Sequence, residues 1–76
     1  MKELVEFIAR SLVSSPDDVQ VRELETEGGL VVELQVHPSD LGAILGRKGR
    51  TAGAIRAVMA TAAAKTQRVV SLEILD

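Results

Sequence analysis

Two glycines, Gly46 and Gly49, interrupt an apolar stretch and divide it into two segments of helical character. Leu41, Ile44 and Leu45 precede the pair, and Ile55, Val58 and Met59 follow it on one side of a second helix. Glycine at a helix end supplies the positive φ angles that other residues resist, and it lets another molecule come close to the backbone. Between the glycines stand two cations, Arg47 and Lys48, with Arg50 directly after. A helix that starts at such a turn presents N–H groups without intrahelical partners, which favours an anion there. The unit therefore reads as helix, cationic Gly-x-x-Gly turn, helix, and a sugar–phosphate backbone is the anion whose shape and charge suit it.

The rest of the chain can be read around this unit. Residues 2–13 carry Leu4, Val5, Ile8, Ala9 and Leu12 at the 3.6-residue period, which predicts an amphipathic helix with Phe7 at the border of its apolar stripe. Pro16 cannot continue that helix. Residues 18–26 read as a strand with Val19 and Val21 on one side, an acidic outward side of Glu23, Glu25 and Glu27, and a bulge near the out-of-phase Leu24. Gly28-Gly29 signals a hairpin. Residues 30–36 alternate most clearly, with Leu30, Val32, Leu34 and Val36 on one face. Pro38 then breaks the strand, Ser39 is the expected N-cap of the next short helix, and the lone His37 reads as a turn residue. Residues 50–65 form the longest helix, with Ala52, Ile55, Met59 and Ala62 toward the core. Residues 68–75 form a last strand with Val70, Leu72 and Ile74 inward. The outcome is α-β-β-α-α-β: an α+β two-layer sandwich, a three-stranded sheet covered on one face by three helices.

Charge sharpens the functional reading. The net charge of −2 argues against nucleic acid, but the distribution argues for it. Residues 1–40 hold nine acids and three bases, whereas 41–76 hold six bases and two acids. From Leu41 to Leu72 there are six cations, Arg47, Lys48, Arg50, Arg56, Lys65 and Arg68, and no acid. The 76 residues 1–76 make one domain, small enough to bury only about 60% of its unfolded surface, so oligomerisation is an expected aid to stability. With no Cys and one His, neither a thiol nucleophile nor a metal cluster is expected, and no cofactor is called for. No Walker-type phosphate loop is present, since Gly42 and Gly46 precede Arg47 at the wrong spacing. An enzyme is not expected. Neither a signal peptide nor a membrane span is read, which fits a cytoplasmic protein.

The run Ile44-Leu45-Gly46-Arg47-Lys48-Gly49-Arg50-Thr51-Ala52-Gly53-Ala54-Ile55-Arg56 resembles the core of a KH domain. With the element order, it resembles the type II arrangement, and most closely the small single-domain bacterial KH proteins of the KhpA family. The resemblance covers essentially all 76 residues. It matches Gly46 and Gly49 to the motif's glycines, and Arg47 and Lys48 to its variable positions. It implies single-stranded RNA held across the turn, with roughly four nucleotides of backbone clamped. Gly46, Arg47, Lys48, Gly49, Arg50 and Arg56 are the implied RNA-binding positions, and Ile44, Leu45 and Ile55 are the expected lining of a groove for the bases. Gly53 departs from the pattern, where a larger and often basic residue is usual. The resemblance further implies an RNA chaperone or post-transcriptional role, a homodimer, and a larger KH-containing partner linked to cell elongation and division in some bacteria. Homodimerisation is expected through the helix of residues 50–65, where Gly53, Ala54 and Ala57 share a side. The competing reading is a protein-interaction or dimerisation module that keeps the KH fold without binding RNA.

Overall fold

The computed structural model describes residues 1–75. Six regular elements follow one another: α1 (Lys2–Leu12), β1 (Gln20–Thr26), β2 (Gly29–Gln35), α2 (Leu41–Leu45), α3 (Arg50–Ala63) and β3 (Val70–Ile74). The strands form one sheet in the order β1-β2-β3. β1 and β2 are an antiparallel hairpin, whereas β2 and β3 run parallel. A parallel neighbour requires a crossover, and here the crossover is α2, the glycine turn and α3. The turn is thus built into the connection that holds the sheet together.

One sheet face is covered by the helices. Val21 on β1, Val32 and Leu34 on β2 and Leu72 on β3 meet Val5 and Ala9 of α1, Ile44 of α2, and Ile55 and Met59 of α3. Leu34, Ile44 and Met59 are among the largest fully buried side chains. Each stabilises the fold by about 1.5–3 kcal/mol through apolar burial. On α3 the inward set is Ala52, Ile55, Met59 and Ala63. The expected Ala62 is exposed instead, because Met59 and Ala63 at i, i+4 already define the stripe.

Several local expectations change. The first strand starts at Gln20 because Pro16–Asp18 forms a 3-10 turn of its own. No bulge occurs near Leu24: β1 and β2 pair without interruption from Gln20↔Gln35 to Thr26↔Gly29. Leu24 simply points to the open sheet face, paired with Val31. Glu23 and Glu25 lie in phase with Val21, on the helix side rather than outward. They avoid burial because they sit at the margin of the helical layer, where Glu23 Oε2 accepts from the Lys2 N–H at 2.9 Å and Glu25 pairs with Arg68 at 3.4 Å. The hairpin turn is Glu27-Gly28, and only Gly29 takes a positive φ, +139°. A side chain at Gly29 would collide with the Val69 carbonyl, to which the Leu30 N–H donates at 2.9 Å.

The entry to α2 also differs from the expected Ser39 cap. Pro38–Asp40 forms a 3-10 turn, and the cap is His37, whose Nδ1 accepts from the Ser39 N–H at 3.1 Å. Asp40, 4% exposed, makes no cap bond to its own helix. Its carboxylate instead accepts from the Ser14 and Ser15 N–H groups, both at 3.0 Å. Two charge-assisted bonds satisfy the buried anion and tie the end of α1 to the start of α2.

Candidate nucleic-acid interface

α2 stops because Gly46 leaves the helical region. Its N–H still donates to Gly42 O at 2.8 Å, but its own angles are φ +75° and ψ 168°. This combination is open to essentially no residue except glycine. The next three residues close one tight turn, with Gly49 N–H donating to Gly46 O at 3.1 Å and Arg50 N–H to Arg47 O. Lys48 (φ +58°, ψ 27°) and Gly49 (φ +76°, ψ 14°) are both left-handed, and α3 starts at Arg50. Two of the N–H groups at the turn, those of Gly49 and Arg50, are therefore engaged within it.

The two glycines have different reasons to be glycine. A Cβ on Gly46 would run into Thr51, whose backbone nitrogen would be 2.6 Å away. A Cβ on Gly49 would meet nothing within 4 Å, so only its backbone angles favour glycine there.

Arg47, Lys48, Gly49 and Arg50 are all exposed. Their electrostatic situation differs from that of three other cations of the chain, while Lys2 and Lys65 are likewise in no ion pair among the described residues. Arg10 pairs with Glu6, Arg22 with Glu33 and Arg68 with Glu25. Among the described residues, Arg47, Lys48, Arg50 and Arg56 make no ion pair. Arg56 instead reaches from α3 to the Leu72 carbonyl of β3 at 3.4 Å, a long hydrogen bond. The turn is thus a cluster of charges with no internal counter-ion.

The apolar positions expected to line a groove divide. Leu45 is 39% exposed and available beside the turn. Ile44 is fully buried and Ile55 is 3% exposed, so neither offers surface to a ligand. Both point into the sheet because each lies on the core stripe of its helix, and they support the turn from beneath. Gly53 is exposed and a Cβ there would meet nothing within 4 Å. The fold itself does not require this glycine. The chain's one aromatic, Phe7, is 72% exposed on α1 and lies outside the turn segment.

A cleft of about 420 Å³ lies elsewhere, between Leu4, Leu30, Ala62 and the Glu25–Arg68 pair near the C-terminal end of α3. Concavity and charge point to different places, and we place the candidate site at the charge, because a flexible polyanion needs an accessible cationic edge rather than an enclosed cavity. Sequence reasoning missed Thr51, whose contact with Gly46 depends on how the turn folds back on α3. Its position two residues after Gly49 was the available signal. Among the described residues no group of His, Cys, Asp and Glu could hold a metal ion, and no helix is long and apolar enough to cross a membrane.

Comparison with known proteins agrees with this architecture. A family model described as KhpA/KhpB, KH domain matches residues 2–74. A protein of Halalkalibacterium halodurans named RNA-binding protein KhpA is 51% identical over 76 residues, covering 100% of both chains. One of the same name from Borreliella burgdorferi is 51% identical over 74 residues, covering 97% of this chain and 90% of the relative. The Aquifex aeolicus protein of that name is 41% identical over 76 residues, covering 100% of this chain and 96% of its own.

Proposed function

This chain belongs to the KhpA/KhpB KH-domain family, and from that premise we propose that it binds single-stranded RNA across the Gly46–Gly49 turn. The observation that carries this reading is the set of cations Arg47, Lys48 and Arg50, left without protein counter-ions at a turn that only glycine can make, with Arg56 further along α3. Phosphates supply those counter-ions. Arg47 and Lys48 at the tip and Arg50 at the start of α3 neutralise successive phosphates. Arg56 and Leu45 face the nucleotides that follow, and Ile44 and Ile55 hold the surface from below. With no aromatic side chain at the turn for stacking, discrimination among bases is weak. Weak discrimination suits an RNA chaperone or post-transcriptional regulator in the cytoplasm better than a catalyst.

Salt dependence tests the reading. Three phosphates neutralised on single-stranded RNA give a log–log slope near about −2, from roughly −0.7 per phosphate. Fluorescence anisotropy with labelled RNA over a range of salt concentrations measures it. A flat dependence removes the turn as the contact and leaves the protein-interaction reading, which the exposed apolar surface of α3 favours.

That surface also supports self-association. Gly53, Ala54 and Ala57 are exposed, and Val58 beside them is 45% exposed. Small side chains let a second helix approach closely, and a two-fold pair sets the same surface against itself. We expect a dimer through α3, either of two copies or of this chain with a larger KH-containing protein. Light scattering at micromolar concentration is expected to give twice the 8.1 kDa chain mass. A monomer mass throughout the range would end the dimer proposal.

A further inference from the structure

We propose that this chain pairs with a second copy of itself so that Phe7 of each copy fills the cleft between α1 and α3 of the other. The proposal rests on the dimer expected through α3 and names the anchor that fixes its geometry. Two observations meet here, an unfilled cleft and an unburied ring. α2 packs against both α1 and α3, at the end of the first and the start of the second. At the other end of the helical layer the cleft of about 420 Å³ stays open. Leu4 of α1 stands on one wall, Ala62 and Ala63 of α3 on the other, and Leu30 and Val70 of the sheet also line it. Leu30 and Val70 remain half-buried, so the sheet keeps apolar surface that its own helices do not cover. Phe7, the chain's one aromatic side chain, is 72% exposed.

The positions of ring and cleft suit exchange about a two-fold axis. Leu4 and Phe7 are three residues apart on α1, so one wall of the cleft and the ring are neighbours on one helix surface. Val58 and Ala62 are likewise neighbours, four apart on α3. Val58 is 45% exposed, and Ala62 is exposed while also lining the cleft. The cleft is therefore continuous with the α3 surface on which a second copy is expected to lie. In a two-fold pair, a ring beside a cleft on one copy faces a cleft beside a ring on the other. Aromatic side chains seated in pockets dominate the energetics of such interfaces. The chemistry of the lining argues against RNA as the occupant, because Glu23 and Glu25 border the cleft and carboxylates repel a phosphate backbone.

Sedimentation velocity over a range of protein concentrations gives the dimer dissociation constant. Phe7→Ala is expected to raise it at least about a hundredfold, since each dimer loses two anchors worth about tenfold or more apiece. Ala62→Phe places a ring of the same chain in the cleft and is expected to weaken the dimer to a similar extent. A mixture of the two variants decides. The mixed dimer keeps one intact contact, Phe7 of the Ala62→Phe copy in the open cleft of the Phe7→Ala copy. It is expected to be about tenfold tighter than either variant paired with itself. Parental dimerisation in Phe7→Ala overturns the proposal; if that variant also binds a labelled oligouridylate more weakly, Phe7 stacks on a base instead. A mixed dimer no tighter than its components overturns it too, because ring and cleft then act apart. If Ala62→Phe fails to fold by circular dichroism, Ala62→Leu fills the same cleft with a better helix former, and the mixture is read by the same criteria. A parent that stays monomeric refutes the α3 dimer and this contact together, whereas a dimeric parent with an indifferent Phe7→Ala refutes the contact alone.

Discussion

Replacing Arg47 and Lys48 together by Asp is expected to weaken RNA binding by at least about a hundredfold while leaving the fold intact. Two charge-assisted contacts are lost, each of about 1.5–3 kcal/mol when formed with a phosphate. Two anions then stand where phosphates belong, within the screening length of about 8–10 Å at ordinary salt. Loss of both cations alone removes about 3 kcal/mol or more, which is a factor above a hundred. The fold is expected to tolerate the change because both side chains are exposed and neither makes an ion pair. The backbone favours it as well. Lys48 sits at φ +58°, ψ 27°, a left-handed conformation that Asp adopts more readily than Lys. Anisotropy together with a thermal melt checks both halves. Unchanged affinity in a folded variant would sink the proposed site.

The second large effect concerns stability and separates the two glycines. Gly46→Ala is expected to destabilise the chain by about 3–4 kcal/mol, the sum of a backbone region closed to alanine and a collision with Thr51. For a chain of 76 residues, total stability is on the order of 4–11 kcal/mol, so this variant is close to unfolding. Gly49→Ala is expected to cost only about 1–2 kcal/mol, the ordinary penalty for a left-handed residue with a side chain. Nothing lies within 4 Å of its added methyl. Urea denaturation compares the two midpoints. Equal losses would show that the contact between Thr51 and Gly46 does not shape the turn.

Much of this molecule is legible in the sequence wherever one face of an element is uniform. The alternation from Leu30 to Val36 gave β2 and its buried side, and the glycine pair marked where α2 ends and α3 begins. Legibility fails where a strand outruns the helices that cover it. Val21, Glu23 and Glu25 share one face of β1, yet only Val21 lies under the helical layer, so the residue types change while the phase does not. A reader who follows polarity assigns Glu23 to the wrong face and invents a bulge at Leu24. Legibility also fails for long-range hydrogen bonds. Ser39 and Asp40 have the composition of a local helix cap, and no local rule shows that Asp40 bonds to Ser14 and Ser15 some 25 residues away. At the site, the cationic residues were readable from type and spacing. The burial of Ile44 and Ile55 was not distinguishable from exposure in a groove, because an aliphatic side chain suits either. The Thr51 contact required the path of the turn in space.

The parallel pairing of β2 with β3 has a consequence for the order in which this molecule can assemble. Its partners, such as Leu30 and Val70, are forty residues apart in the chain. The β1–β2 hairpin joins neighbours across a two-residue turn. Contacts between near neighbours close fast, and distant ones wait for the loop-closure entropy to be overcome. Of the two strand pairings the hairpin is therefore expected to form first and the docking of β3 to follow. Because the Gly46–Gly49 turn lies inside the closing loop, it is drawn into its final shape only as that loop shuts. On the ribosome the turn emerges before β3 does, so a nascent chain displays its cations before it has the strand on which α3 rests.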